Sequence, residues 1–312
     1  MRPLKVGDTI GLVSPASAPQ DQIIPFANDF FPSRGYRVRH FGHEETSFGR
    51  MSAPDASRSE ALKAAFDAPE VAAIMCTRGG YGSGRLIDKL DFTQIGANPK
   101  PFVGYSDITN LLMEFHVRLG MTTFHGPMVS DLHSKGDAWS IARMFDVLTG
   151  RANGYRLRSE DFACLIPGHA SGRLIGGNLS ILCAMAGTTK LAPDEDIVLL
   201  IEDVGEFMFR LDRCLVQLSR IGLLDRAKAI LVADMKLKDR GDDNSLGFSL
   251  EEVFSEHFGP LGIPVAYDLP AGHTERQMTL PIGAWATVDV SRDTLNLSFP
   301  YLWRDQDSEY AA

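Results

Sequence analysis

Short segments of strand length, either apolar or with alternating apolar residues, alternate with segments of helical periodicity through the first half of the chain. The strand candidates lie at 9–13, 36–40, 71–76 and 101–104. In the segments 57–66 and 107–119, apolar residues recur three and four positions apart, as they do on one face of a helix. Because strands separated by helices join as a parallel sheet, the pattern predicts an α/β domain.

The pattern changes near residue 150. The segment 151–170 has scattered glycines, prolines and charges but no sustained period, so we interpret it as a linker between an N-terminal domain, 1–150, and a C-terminal domain, 171–312. The strand candidates beyond it lie at 173–175, 197–201, 229–233 and 286–290, and the helix candidates at 178–186, 209–221 and 249–258. This predicts a mixed α+β domain whose strand order stays open.

Charge and apolar content exclude several classes of protein. The 31 basic and 40 acidic residues give a net charge of −9, which argues against a nucleic-acid binder and a polybasic membrane anchor. The four cysteines show no C-x-x-C spacing, so a reduced chain is the simplest interpretation. The apolar run within 10–18, about four residues, is too short for a secretory signal, and no stretch reaches the ~20 residues of a membrane span. We therefore expect a soluble cytoplasmic protein.

Ser106 stands between a strand candidate that ends at Gly104 and a helix that begins near Asp107. A serine at such a corner projects from the carboxyl edge of a parallel sheet, where open α/β folds bind ligands. The arrangement is similar to a nucleophile elbow, although Ile108 stands where G-x-S-x-G has its second glycine. The alternative is that Ser106 simply caps the helix.

The segment 78–85, RGGYGSGR, follows the buried strand 71–76. A glycine-rich loop of this kind brings backbone N–H groups close to a ligand. Dinucleotide binding is a weak interpretation, since the spacing differs from G-x-G-x-x-G. An oxyanion hole for acyl transfer fits better, and an ordinary tight turn is the structural alternative.

Two segments of the second half could supply an acid and a base. An apolar strand ends in Glu202 and Asp203, and a carboxylate at a strand end can orient a histidine. His273 follows Gly272 in a loop, and an imidazole suits proton transfer near neutral pH. Either segment could instead be structural, with surface ion pairs around the acids.

Taken together, these segments resemble the LD-carboxypeptidase family of serine peptidases, which includes muramoyl-tetrapeptide carboxypeptidases and microcin C immunity peptidases. The matching segments are IGLVSPAS, CTRGGYGSGRLIDKLDF, PKPFVGYSDITNLL, HGPM, GRLIGGNLSIL, LLIEDVGE, RLDRCLVQL and GHTERQMTLPIG, which span roughly residues 8 to 290. The resemblance implies a flavodoxin- or Rossmann-like N-terminal domain and a mixed C-terminal domain, with the active site at their interface.

The resemblance also implies the site residues. Ser106 falls on the family's nucleophile, Glu202 on its acid and His273 on its base. The oxyanion hole would use backbone N–H groups of Gly80, or else Gly79, and of Asp107. No metal or other cofactor is expected, and the family implies a cytoplasmic homodimer.

The expected reaction is hydrolysis of the LD-amide bond before the terminal D-alanine of a muropeptide. Arg78 and Arg276 flank the predicted site and are candidates to bind the substrate carboxylate, unless each pairs with a local acid. Two alternatives stay open. One is hydrolysis of a peptidyl or aminoacyl nucleotide, which would need an aromatic residue to stack on the base. The sequence does not show whether Trp139, Trp285 or Trp303 has this role. The other is a non-catalytic binding protein.

Overall fold

The computed structural model describes residues 1–42, 48–191, 194–238 and 247–303. The chain forms two compact units. The first contains Met1–Ala152 and Met278–Pro281, and the second contains Asn153–Gln277 and the residues from Ile282 onward.

The elements of the described residues follow the chain in order. The strands are β1 Thr9–Val13, β2 Arg37–His40, β3 Val71–Cys76, β4 Phe102–Gly104, β5 Thr123–His125, β6 Gly154–Arg158, β7 Ala163–Ile166, β8 Gly168–Asn178, β9 Ile197–Val204, β10 Ala227–Lys236, β11 Val265–Leu269, β12 Leu280–Ile282, β13 Trp285–Val290 and β14 Thr294–Ser298. The helices are α1 Ile23–Phe30, α2 Asp55–Asp67, α3 Phe92–Ala97, α4 Thr109–Leu119, α5 Val129–Ser134, α6 Ala138–Leu148, α7 Leu179–Met185, α8 Met208–Arg220, α9 Leu223–Arg226 and α10 Leu250–Phe258.

The sheet of the first unit has the order β12-β5-β4-β3-β1-β2. The strands from β5 to β2 are parallel, which confirms the predicted α/β fold. Their order is that of flavodoxin-like sheets, in which ligands bind beyond the carboxyl ends where the strand order reverses, between β1 and β3. The glycine-rich loop follows β3, so the topology places it at this reversal.

Phenylalanine rings fill the layer between the first unit's sheet and its helices. Phe66 of α2, Phe102 of β4 and Phe115 of α4 are each fully buried. Phe115 meets the other two edge-on, with centroid distances of 5.5 Å to Phe66 and 5.2 Å to Phe102. Edge-to-face pairs at this spacing add to the stability that burial provides. The cluster therefore anchors α2 and α4 to the strand that leads to Ser106.

The second unit is built on one mixed sheet in the order β6-β14-β13-β8-β9-β10-β11-β7. The strands β8, β9, β10 and β11 are parallel, and antiparallel pairs extend the sheet at both ends. The central strand β9 is buried from Ile197 to Asp203. Its apolar run IVLLI is what a strand covered on both faces requires. The predicted mixed domain is thus confirmed.

Two parts of the predicted domain layout are wrong in detail. The segment 151–170, interpreted as a linker, contributes β6, β7 and the start of β8 to the second sheet. β6 and β7 are the outermost strands of that sheet, so they need less apolar sequence than buried strands do. The other difference concerns Met278–Pro281, which belongs to the first unit although the prediction assigns 171–312 to one domain.

We predict that Phe115→Ala lowers the free energy of unfolding by about 3–5 kcal/mol, because it leaves a ring-sized cavity in a close-packed core. Urea denaturation of the purified variant measures the change. Phe48→Ala is the matched control, since Phe48 is 52% exposed and its truncation should cost no more than about 0.5 kcal/mol. Equal losses for the two variants would contradict this description of the core.

Candidate active site

Ser106 lies in a strained turn between β4 and α4. Its φ is 61°, in the left-handed region that residues other than glycine seldom enter. A 3-10 turn, Ser106–Ile108, begins at this residue, and the N-cap positions of that turn and of α4 are Tyr105 and Ile108. The helix-capping alternative for Ser106 is therefore wrong. A strained strand-to-helix turn of this kind exposes a serine hydroxyl in a nucleophile elbow.

The glycine-rich loop packs directly against this serine. A Cβ atom at Gly79 would lie 3.1 Å from the Cβ of Ser106, so the loop approaches closely only because residue 79 lacks a side chain. Gly80 has a φ of 115°, and a Cβ there would collide with Ser17. Over the described ranges, no hydrogen bond uses the N–H of Gly80. That N–H is therefore available to a ligand oxygen, as an oxyanion donor must be.

Asp107, the residue after the serine, is tied to the same loop. Ser83 donates its backbone N–H to Asp107 Oδ2 at 2.8 Å and its hydroxyl to the Asp107 carbonyl at 2.5 Å. Asn110 Nδ2 donates to that carbonyl as well, at 2.9 Å. These bonds fix the Asp107 peptide relative to the loop that carries Gly80. Ser83 is not among the predicted site residues, and its only signal in the sequence is its position within the glycine run.

The adjacent carboxylates of β9 have different partners. Glu202 is fully buried and meets His273, whereas Asp203 accepts hydrogen bonds from Asn178 Nδ2 at 3.1 Å and from the Ser180 N–H at 2.9 Å. Successive side chains of a strand point to opposite faces, so the two carboxylates cannot share a partner. Burial raises the pKa of Asp203, and the neighbouring Glu202 adds to this increase. Asp203 therefore anchors the start of α7, while Glu202 orients the histidine.

His273 lies in the loop after β11. Its Nδ1 is 2.7 Å from Glu202 Oε2, and its side chain is 19% exposed. An ionised carboxylate can only accept, so an ionised Glu202 places the hydrogen on Nδ1 and leaves Nε2 to take a proton. Gly272 has a φ of 79°, and a Cβ there would lie 2.6 Å from Glu202 Oε2. The contact between imidazole and carboxylate thus requires glycine before the histidine.

The predicted catalytic residues divide between the two units. Ser106, Gly80 and Asp107 belong to the first unit, and Glu202 and His273 to the second. Within the first unit, the structure brings the serine to the glycine-rich loop. Within the second, it joins an acid to a base in the arrangement that prepares an imidazole to take a proton from a hydroxyl.

The two arginines proposed to bind substrate have different surroundings. Arg276 forms an ion pair with Asp161, with 2.5 Å between Nη1 and Oδ1. The alternative that this arginine pairs with a nearby acid is therefore correct. Arg78 donates from Nη1 to the Ala18 carbonyl at 3.3 Å. In the part of the chain that the structure describes, Arg78 makes no ion pair, which leaves it the better candidate.

Metal and membrane features are absent from the described residues. Within these ranges, no three His, Cys, Asp or Glu side chains cluster as metal ligands would. None of the described helices is both long enough and apolar enough to cross a bilayer.

We predict that Gly272→Ala breaks the hydrogen bond between His273 and Glu202, because the added methyl group occupies the position of the carboxylate. The low-field proton resonance of the His273 Nδ1–H group, measured by NMR, should disappear. Gly222→Ala is the matched control: its φ is 77°, but its Cβ meets nothing closer than 4.0 Å. Both variants carry the backbone strain of about 1–2 kcal/mol, and only Gly272→Ala should lose the resonance. A retained signal would contradict the described packing.

Known proteins resemble this chain over nearly its whole length. The family profile of the LD-carboxypeptidase N-terminal domain matches residues 10–126, and that of the C-terminal domain matches residues 171–288. The Bacillus subtilis protein named "Probable murein peptide carboxypeptidase" is 34% identical over 93% of this chain and 92% of its own length.

Two solved structures have the same fold. The muramoyltetrapeptide carboxypeptidase of Oxalobacter formigenes has a TM-score of 0.83 and 30% identity, covering 93% of this chain and 97% of its own. The microcin C7 self-immunity protein MccF of Escherichia coli, solved with glutamyl sulfamoyl guanosine, has a TM-score of 0.83 and 25% identity, covering 95% and 97%. The chain therefore belongs to the LD-carboxypeptidase family and is a carboxypeptidase.

Proposed function

We propose that this carboxypeptidase hydrolyses the LD-amide bond before the terminal D-alanine of murein tetrapeptides, with Ser106, His273 and Glu202 as a catalytic triad. The observation that carries the proposal is the hydrogen bond between His273 Nδ1 and buried Glu202. It is supported by the strained turn at Ser106, by the family, and by the name of the Oxalobacter formigenes relative. The three triad residues follow one another in the chain in the order Ser, Glu, His, which is the order that the family resemblance implies.

The first half of the reaction forms an acyl-enzyme. His273 Nε2 takes the proton of Ser106 as the serine oxygen attacks the carbonyl carbon of the scissile amide. Glu202 stabilises the imidazolium that results. The N–H groups of Gly80 and Asp107 donate to the oxyanion, and each such donor contributes about 3 kcal/mol to the stability of the transition state. His273 then protonates the leaving amine of D-alanine, and the C–N bond breaks.

The second half returns the enzyme to its starting state. A water molecule gives its proton to His273 Nε2 and attacks the acyl carbon, and the serine leaves with that proton. Because the leaving group is a single amino acid, the enzyme must bind a free carboxylate. We assign that role to Arg78, whose planar guanidinium can donate two parallel hydrogen bonds to a carboxylate. A cytoplasmic homodimer that acts in cell-wall recycling is part of the proposal, and rests on the family resemblance.

We predict that Ser106→Ala abolishes the release of D-alanine from a defined murein tetrapeptide, measured by a coupled assay for free D-alanine. The nucleophile is removed, so the rate should fall by about 10⁶-fold, to the limit of detection. The wild type should also react covalently with a fluorophosphonate at Ser106, and the variant should not. Ser59→Ala, on α2, is the control and should retain full activity. Release at the wild-type rate by Ser106→Ala would disprove the assignment.

The two carboxylates of β9 should respond differently to neutralisation. We predict that Glu202→Gln lowers kcat by about 10³- to 10⁴-fold, because an amide no longer selects the imidazole tautomer that the reaction needs. Asp203→Asn should leave kcat nearly unchanged, since the side chain only anchors α7. Steady-state kinetics on the tetrapeptide measure both variants. A larger loss for Asp203→Asn than for Glu202→Gln would reverse the assignment.

A second candidate is hydrolysis of an aminoacyl or peptidyl nucleotide. It is supported by the MccF structure, which matches this chain with the same TM-score, 0.83, as the muramoyltetrapeptide carboxypeptidase structure does. Parallel assays with the tetrapeptide and with an aminoacyl sulfamoyl nucleoside distinguish the two. A higher kcat/KM for the nucleoside would favour the second candidate, with the same triad.

A further inference from the structure

We propose that Arg58 is a positioning residue that holds the glycine-rich loop, and with it the N–H of Gly80, in the orientation needed to bind the oxyanion. The proposal rests on the proposed function, and it adds to the reaction a residue that contacts no substrate. Arg58 is not among the residues predicted for the site, and it lies within a helix of ordinary charged composition.

Arg58 lies on α2 and is only 3% exposed. Its guanidinium joins three separate segments of the chain. Nη1 donates to the carbonyl of Pro15, in the segment after β1, and at 2.8 Å to the carbonyl of Gly82, in the glycine-rich loop. Nε donates at 3.0 Å to the carbonyl of Ala53. One side chain therefore fixes the loop to the end of β1 and to the start of α2.

The charge of the buried guanidinium is balanced within the same cluster. Nη2 lies 2.6 Å from Asp55 Oδ1, and Asp55 also accepts a hydrogen bond from Arg85 Nε at 3.0 Å. Hydrogen bonds from Arg85 and Arg58 hold the pKa of Asp55 below its usual value. Because Arg85 lies just beyond the glycines, Asp55 links the far end of the loop to Arg58.

The contact with Pro15 matters because Ser17, in the same segment after β1, is hydrogen-bonded to the glycine-rich loop. The N–H of Ser17 donates to the Gly79 carbonyl at 3.3 Å, and Ser17 Oγ accepts from the Tyr81 N–H at 3.2 Å. Gly80 lies between these two bonds. Ser17 thus holds the chain on both sides of Gly80. Arg58 is bonded to Pro15, in the segment that contains Ser17, and to Gly82, in the loop that contains Gly80.

A role in stability alone explains this arrangement less well. Replacing a buried ion pair by apolar residues is often neutral or stabilising, so the pair itself is weak evidence for stabilisation. The planar guanidinium donates in several fixed directions at once, whereas an ammonium on a flexible stem does not. Carbonyls from three segments need donors in fixed directions, and that requirement selects arginine. A displacement of 1 Å at a reacting group can cost about 100-fold in rate.

The test compares Arg58→Lys with the wild type, because lysine keeps the positive charge but lacks the planar guanidinium with its several fixed donors. We expect kcat on the tetrapeptide to fall by about 10- to 100-fold while KM changes by less than about twofold, since the donor acts mainly in the transition state. Hydrogen exchange at the Tyr81 amide, which donates to Ser17 Oγ, should become faster, and exchange in α4 should not change. The circular dichroism spectrum should match the wild type.

A second variant keeps the test decisive if Arg58→Lys folds poorly. Gly82→Ala leaves Arg58 unchanged but adds a Cβ atom beside its guanidinium. This Cβ would lie 3.1 Å from Arg58 Nη1 and 2.7 Å from Met51 Cγ. The variant should show the same fall in kcat and the same faster exchange. The control is Gly7→Ala, which also has a positive φ, 91°, but has nothing within 4 Å of its Cβ. Its kinetics should match the wild type.

The outcomes separate this proposal from the proposed function. Unchanged kcat and unchanged loop exchange in a folded Arg58→Lys protein would overturn the role of Arg58 while leaving the triad intact. A wild type that releases no D-alanine would overturn the proposed function. In that case the exchange measurement still decides whether Arg58 holds the loop, and wild-type protection of the Tyr81 amide in the variant would refute it.

Discussion

The candidate catalytic chemistry depends on one hydrogen bond, between the buried carboxylate of Glu202 and His273. A carboxylate that is fully removed from water needs a donor, because an unpartnered buried charge is costly. The imidazole supplies that donor and is oriented in return, so burial and catalysis impose the same geometry. The neighbouring Asp203 shows the alternative, since its carboxylate is satisfied by the start of α7 and has no part in this pair.

Backbone conformation is the second constraint, and it acts through small residues. Gly272 makes room for the carboxylate beside His273, and Gly79 makes room for the turn at Ser106. Ser106 itself is held at a positive φ. Such strain persists only where the surroundings fix the conformation, and here a flavodoxin-like sheet and the Phe66–Phe102–Phe115 cluster support the turn. In the first unit the strained turn and the glycine-rich loop meet at the carboxyl edge of that sheet, where ligands bind in related folds.

Local patterns in the sequence predict part of the fold correctly. Continuous apolar runs gave β3 and β9, and helical spacing gave the helices α2 and α8, all to within a few residues, because buried strands and amphipathic helices have distinct patterns. No such pattern marks the segment 151–170, where β6 and β7 lie at the outer positions of the sheet and need little apolar sequence. The strand β12, which is only three residues long, was likewise not predicted. Short outer strands are recognised by their partners and not by their own composition.

The sequence by itself determined the fold class, the family and the residue types that chemistry would need. Only the tertiary structure decided that Ser106 is strained and is not a helix cap, and that Asp161 pairs with Arg276. It also revealed that Arg58 reaches the carbonyls of three segments. The physical reason is that hydrogen bonds join residues far apart in the chain, and their partners depend on sheet order and side-chain direction. Neither of these is encoded in local periodicity.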